Sequence, residues 1–261
     1  MRFLGTALTA MLLPILVVGA AATARADALD TVMSTHKLRV AVVEDYPPFG
    51  SIGANFKPEG YDIDFARLLA ARLGVAVELV PVTSANKIPF IVAHRADVLL
   101  NIGRTAERAK VVDFSAPYAP YYIGVFGPAD LKVKDAADLT GRTIGVTRGS
   151  LEELVLTKVA PPSATIDRFE DNSTTLAAFL SGQTQLVALG NIVAAAIVAK
   201  HPARMPEQKF LLMNSPVCSA VDKGEARLLA RINAAISRAK KDGTLARMSL
   251  EWLKQPFPKD L

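Results

Sequence analysis

Asn101-Ile102-Gly103-Arg104-Thr105-Ala106-Glu107-Arg108-Ala109-Lys110-Val111-Val112-Asp113-Phe114-Ser115-Ala116-Pro117-Tyr118 is the stretch on which the fold turns. It follows Val98-Leu99-Leu100, a short apolar run that reads as a buried strand. After the strand comes a polar turn, and Thr105 stands where a hydroxyl can cap a short helix. Free N–H groups at a helix start attract an anion. Arg108, in the first turn, can grip a carboxylate through two parallel hydrogen bonds. The local pattern fits a carboxylate receptor on the end of a strand. It also fits a surface arginine paired with Glu107 or Asp113, and the residues alone do not separate the two.

Upstream, Leu38 to Val43 is a strand, and Glu44-Asp45-Tyr46-Pro47-Pro48-Phe49 follows it. The two prolines end the strand and hold Tyr46 and Phe49 at its carboxyl end, where ligands bind in open α/β sheets. Either ring could cover a ligand or pack on the sheet edge. Tyr61, Phe65, Leu68, Leu69 and Leu73 recur at helical spacing and Gly74 stops the run, so the aromatic stripe is core. Val75 to Val80 is the next strand, which completes a βαβ unit and implies a parallel sheet. Pro81 to Pro89 leads into a helix ending near Arg95, with Ser84 and Asn86 as caps. Lys87 stands at that helix start, where the dipole favours anions. It could face an anionic ligand, although its position favours solvated surface. Asp97 to Leu100 is then the third strand and delivers the Arg108 stretch.

Downstream, Pro117 to Phe126, with Tyr118, Tyr121 and Tyr122, reads as an extended connector, and Asp130 to Gly141 as a loop. A second αβ pattern begins with the strand Thr143 to Val146. Thr147-Arg148-Gly149-Ser150 is a turn opening the helix Leu151 to Val159, and its N–H groups with the Ser150 hydroxyl could form a second anion site. The turn lacks the P-loop lysine and does not match the dinucleotide fingerprint. Thr165–Phe169, Gln185–Leu189 and Lys209–Met213 read as strands. A helix capped at Asp171, Asn172 or Ser173 ends at Gly182, and another follows the Gly190-Asn191 turn. Glu225 to Lys241 is a long amphipathic helix, and Leu245 to Leu253 a last short one. The alternation gives an α/β class.

The chain has 261 residues, 51% hydrophobic and 21% charged, enough for one large or two small domains with real cores. A net charge of +5 with scattered Lys and Arg does not argue for nucleic acid. Cys218 is the single cysteine, so no intrachain disulfide or thiolate metal cluster forms, and no metal or cofactor is expected. Arg2, the apolar run Leu8 to Ala22 and Ala24-Arg25-Ala26 form a secretory signal peptide with an A-x-A cleavage site. Its removal takes Arg2 and Arg25 away and leaves +3. The product is expected free in the periplasm.

Thr105-x-x-Arg108-x-x-x-Val112-Asp113-Phe114-Ser115-x-Pro117-Tyr118 resembles a signature of the extracellular solute-binding proteins of polar amino-acid ABC importers (family 3). Pro47-Pro48-Phe49, Gly60-Tyr61-Asp62-Ile63-Asp64, Val80-Pro81-Val82-Thr83, Asp97, Leu139-x-Gly141-x-x-Ile144-Gly145-Val146 and Gly243-Thr244-Leu245 fall in the family's order across nearly the whole mature chain. The resemblance implies a two-lobe fold, each lobe a mainly parallel sheet flanked by helices, with a ligand cleft between. It divides the chain into a signal peptide at 1–26, lobe one at 27–123 and again at 215–261, and lobe two at 124–214. The crossings are expected near Tyr122 to Phe126 and Met213 to Val217.

The same resemblance implies the site. Arg108 would hold the ligand carboxylate, with Asn101, Gly103 and Thr105 beside it, Tyr46 as an aromatic wall and Ser150 completing the site from lobe two. Ser84 and Lys87 match a Ser-x-Asn-Arg pattern used for acidic side chains, with Lys in place of Arg. The family usually has an acid at the Gly190-Asn191 turn for the ligand ammonium, and this chain has none, which leaves Asn191 and carbonyls, or a ligand without an amino group. The segment from Asp97 to Arg108 is also one residue shorter than usual. The implied function is capture of an amino acid or related small carboxylate by lobe closure, with a membrane permease as partner and a monomeric protein. The competing function is a periplasmic dehydratase of the same fold acting on a prephenate- or arogenate-like acid, for which Glu44, Asp45 and Glu152 are the candidate acids.

Overall fold

A computed structural model describes residues 27–261; the segment read as a signal peptide, with the Ala24-Arg25-Ala26 site expected there, lies outside the described residues. The chain begins with α1 (Ala28–Thr35), β1 (Lys37–Val42), and a ribbon of three short strands, β2 (Asp45–Tyr46), β3 (Gly50–Ile52) and β4 (Pro58–Glu59). It continues through α2 (Tyr61–Leu73), β5 (Ala76–Pro81), α3 (Lys87–Val92), β6 (Val98–Ile102) and β7 (Val112–Phe114). Next come β8 (Tyr122–Gly127), β9 (Thr143–Thr147), α4 (Leu151–Val159), β10 (Thr165–Phe169), α5 (Asn172–Leu180) and β11 (Leu186–Gly190). The last elements are α6 (Asn191–Val198), β12 (Glu207–Asn214), β13 (Cys218–Asp222), α7 (Ala226–Lys241) and α8 (Thr244–Met248), which runs on into a π-helical turn (Ser249–Leu253).

Two five-stranded sheets share one plan, β5-β1-β6-β13-β7 in the first lobe and β10-β9-β11-β8-β12 in the second. In the first, β1 runs parallel to β5 and β6, whereas β13 is antiparallel to β6 and β7. In the second, β9 is parallel to β10 and β11, and β8 is antiparallel to β11 and β12. The sheets are thus mixed rather than mainly parallel. Strands β8 and β13 arrive directly from the other lobe without the crossover helix that a parallel neighbour requires.

Sheet membership changes between Phe114 and Tyr122 and again between Asn214 and Cys218. Tyr122 to Phe126, expected as a crossing, is therefore strand β8, with Ile123, Val125 and Phe126 buried. The true crossing segments pair with each other. Tyr118 N donates to Val217 O at 2.9 Å, Val217 N to Ala119 O at 2.9 Å, and Ser215 N to Tyr121 O at 3.1 Å.

Helix α2 explains the first core. Tyr61, Phe65, Ala66, Leu69 and Leu73 are buried on one face, and Gly74 ends the helix in the left-handed conformation at φ 76°. Phe65 stacks on Tyr118 at 4.0 Å between centroids, so the aromatic stripe is core. The return helix α7 buries Leu228, Ile232, Ala235, Ile236 and Ala239 against the first lobe. Each buried Leu or Ile on that face contributes about 1.5–3 kcal/mol. Strand β6, with Val98, Leu99, Leu100 and Ile102 buried, lies at the centre of its sheet. The carboxyl ends of β1, β6, β9 and β11 all meet at the cleft, which is where a doubly wound sheet places its ligand.

Candidate ligand-binding site

Between the lobes lies a cavity of about 40 Å³, room for a few water molecules. Strand β6 delivers its first wall. Asn101, next to last in the strand, has a left-handed φ of 52° that asparagine tolerates. Its carbonyl accepts from Lys87 Nζ at 2.8 Å, and its side-chain amide donates to Asp62 Oδ2 at 2.9 Å. Asp62 also accepts from Tyr118 Oη at 2.6 Å. Burial pushes its pKa up to about 6 against the lowering effect of those bonds.

Arg108 opens a one-turn 3-10 helix (Arg108–Lys110) and is buried. Thr105 Oγ1 accepts from the Arg108 N–H at 3.1 Å, which is the capping expected of it. The guanidinium donates to Gly103 O at 3.0 Å and, across the cleft, to Gly149 O at 3.0 Å. It is not paired with Glu107 or Asp113, whose partners are Lys158 and Lys223. Lys87 is not on the solvated surface, as its position in the sequence favoured. It is 6% exposed and lines the same cavity. Burial, and then the neighbouring Arg108, lower its pKa to about 7, while Glu152 and Asp62 act in the opposite sense.

Helix α4 supplies the opposite wall. Ser150 caps it, its hydroxyl oxygen accepting from Glu153 N at 3.1 Å. The Gly149 N–H is engaged by Glu153 Oε2 at 2.6 Å and the Ser150 N–H by Thr147 O at 3.1 Å. The expected anion site made of these two amides is thus closed, and the Ser150 hydroxyl proton is what the turn offers. Glu152 also lines the cavity, with its Oε1 accepting from Tyr121 Oη at 3.1 Å and Tyr46 Oη at 3.2 Å. Tyr46, stacked on Phe49 with 6.3 Å between centroids, carries its hydroxyl across to the second lobe.

Of the residues singled out in the sequence, Arg108, Ser150, Tyr46, Asn101, Gly103, Ser84 and Lys87 come together around this cavity. Thr105 and Asn191 do not line it. Thr105 caps Arg108, and Asn191 Oδ1 is turned to the Tyr122 N–H at 3.0 Å, so that side chain is not free to receive an ammonium. The sequence reading missed Tyr121, Asn172 and Ser215, and it named Glu152 only as a candidate acid. The cluster Tyr118, Tyr121 and Tyr122 was the available signal for Tyr121. Asp45 does not face the cavity. Its carboxylate accepts from Asn172 N at 2.7 Å and Asn172 Nδ2 at 2.9 Å, across the cleft at the start of α5. Glu44 lies with Asp45 in a separate hollow beside Pro81 and Thr83. Among the described residues, no His, Cys, Asp and Glu cluster could hold a metal, and no helix is long and apolar enough to cross a membrane.

This geometry, a two-lobe cleft with a buried arginine at the end of β6, accompanies a match over residues 38–255 to the bacterial extracellular solute-binding proteins, family 3. The chain belongs to that family. Among similar proteins, the L-cystine-binding protein TcyJ of Escherichia coli K12 is 30% identical over 230 residues, covering 86% of this chain and 85% of that protein. The ABC transporter arginine-binding protein 1 of the same organism is 25% identical, over 85% of this chain and 93% of its own. Among solved structures, the ancestral amino acid-binding protein AncCDT-1, described as a precursor of cyclohexadienyl dehydratase, superposes with a TM-score of 0.79 at 31% identity. It covers 86% of this chain and 99% of its own. As a family 3 member the chain is a solute-binding protein.

Proposed function

We propose that the cavity captures an α-amino acid or a related small carboxylate and that lobe closure presents it to the membrane permease of an ABC importer. Arg108 carries this reading: a buried guanidinium at the carboxyl end of β6 that lines one cavity with Ser150 of the opposite lobe. Two of its five N–H groups are engaged by carbonyls, and the others remain for a carboxylate. Each lobe offers half of the site, so the ligand binds the closed form better and shifts the population towards it. The relatives named for cystine and for arginine support an amino acid as the ligand class. The chain is exported, cleaved after Ala26, and binds without turnover.

A thermal-shift screen of amino acids and organic acids tests this. A true ligand at 100 times its dissociation constant adds about 2.7 kcal/mol of stability. If no carboxylate shifts the transition, the proposal fails. A second reading, a dehydratase, is favoured by one observation: Glu152 lies in the cavity where a general acid would be needed. Recovery of chemically altered ligand beyond one equivalent per protein would establish it, and recovery of unaltered ligand would dismiss it.

A further inference from the structure

We propose that Glu152 receives the ammonium group of the ligand, which makes a zwitterionic α-amino acid, and not a plain carboxylic acid, the preferred solute. This rests on the function proposed above and names the ligand class of the same cavity.

Glu152 is the one carboxylate among the described residues lining the cavity, opposite the cations Arg108 and Lys87. It is 7% exposed. Its two hydrogen bonds both go to Oε1, from Tyr121 and Tyr46, and the two hydroxyls are 2.6 Å from each other. No hydrogen bond among the described residues engages Oε2. The tyrosines hold the carboxylate in place without supplying a positive charge. Arg108 and Lys87 face Glu152 across the cavity without bonding to it, so its buried Oε2 lacks a hydrogen-bond donor, and a ligand ammonium there supplies one.

The arrangement is built into the fold. The Tyr46 hydroxyl is itself held by the Gly190 N–H at 3.3 Å. Gly190 has no room for a side chain, because a Cβ there would lie 1.8 Å from the Tyr121 hydroxyl. The end of β11 therefore positions the two tyrosines, and the tyrosines position Glu152. Ser150 and Glu152 are both in the opening turn of α4. A carboxylate and an ammonium carried on one carbon can then be met together, the first by Arg108 and Ser150, the second by Glu152.

Matched pairs with and without the amino group test the assignment: L-glutamate with glutarate, L-cysteine with 3-mercaptopropionate, and L-arginine with 5-guanidinopentanoate. Calorimetry is run on the wild type and on Glu152→Gln, whose amide oxygen can still accept the tyrosine bonds and whose folding is checked by thermal unfolding. For the amino acid that binds the wild type, Glu152→Gln is expected to weaken it by at least about 30-fold, as for a buried charge pair that loses one partner. The partner acid lacking the amino group should change by less than about threefold. Equal weakening of both members of a pair would make Glu152 a structural residue and overturn the inference, as would unchanged affinity for the amino acid. Wild-type binding of the des-amino acids alone overturns it and leaves the carboxylate reading standing. Failure of both classes to bind overturns both.

Discussion

Arg108 and Lys87 put two cationic side chains on one small cavity, and each makes its own prediction. Replacing Arg108 by alanine leaves a ligand carboxylate buried without its partner, which costs on the order of 2–5 kcal/mol, or roughly 30-fold to several thousandfold in affinity. Arg108→Lys should also weaken binding, because an ammonium cannot reproduce the planar fork. Arg104 is the control: it is exposed, stacks on the Phe114 ring and donates to the Ser115 carbonyl, away from the cavity. Calorimetry showing near-normal affinity in Arg108→Ala would remove the arginine from the site. Lys87 predicts a proton effect. With its pKa lowered to about 7 by burial and by Arg108, and with Glu152 and Asp62 facing it, it is charged below pH 7 in free and bound protein alike. An anionic ligand tail beside Nζ raises the pKa in the complex, so above pH 7 binding takes up a proton and affinity falls as pH rises. Titration of L-glutamate at pH 8 in two buffers of different ionisation enthalpy should give different heats, and Lys87→Met should give equal ones and narrow any preference for glutamate over glutamine. The turns that carry Arg108 and Ser150 were legible because a capping residue follows each strand, whereas the choice of Arg108 as a ligand residue, with Asn101 and Gly103 beside it, came from the family resemblance and not from the local pattern. Glu152 was named only as a candidate acid, because the hydrogen bonds that hold it come from Tyr46 and Tyr121 in distant parts of the chain.

At the scale of elements, α4 was legible to the residue, Leu151–Val159, because Ser150 caps it and Glu153 reaches back to the Gly149 N–H. Helix α3 was not. It stops at Val92 rather than near Arg95, and Asn86 makes no side-chain cap bond but accepts from the Thr83 N–H instead. Strands β2, β3, β4 and β7, of two or three residues, went unread, since elements that short owe their conformation to tertiary partners rather than to their own periodicity, and helix α1 and strand β13 went unread with them. Gly149, between β9 and α4, is the element boundary with the clearest consequence. A Cβ there would lie 2.6 Å from Ala85 Cα and 2.9 Å from Ser84 O, backbone of the opposite lobe, and its φ is 74°. Gly149→Ala is expected to wedge the lobes apart and weaken ligand binding well beyond the effect of backbone strain. Gly141→Ala isolates the strain, because Gly141 has a φ of 68° and nothing near its Cβ position. Small-angle scattering with saturating ligand should show a larger radius of gyration for Gly149→Ala than for the wild type or Gly141→Ala. Equal radii would mean that the cleft adjusts around the new methyl group.

The whole molecule repeats one sheet plan twice and joins the copies through paired crossing segments, so relative motion of the lobes is the natural large-scale change. Export predicts a mature chain beginning at Asp27. Intact mass of the secreted protein checks this, and a retained Met1 would refute it. The two-lobe plan was legible from the order of motifs. The mixed sheets were not, since strand direction follows from the path between lobes rather than from any local pattern. One bridge between the lobes has a meaning in time. Asp45 of the first lobe holds the Asn172 N–H and side-chain amide of α5 in the second, at 2.7 and 2.9 Å, and it does not line the cavity. Each opening must break that bridge before a captured solute can leave. Asp45→Ala should therefore raise the dissociation rate on the order of 10-fold, for a lost charge-assisted bond. Stopped-flow displacement would show it as a shorter residence time with the ranking of solutes unchanged. How long a solute stays aboard is then set in part by a residue that never touches it, separately from which solute is chosen.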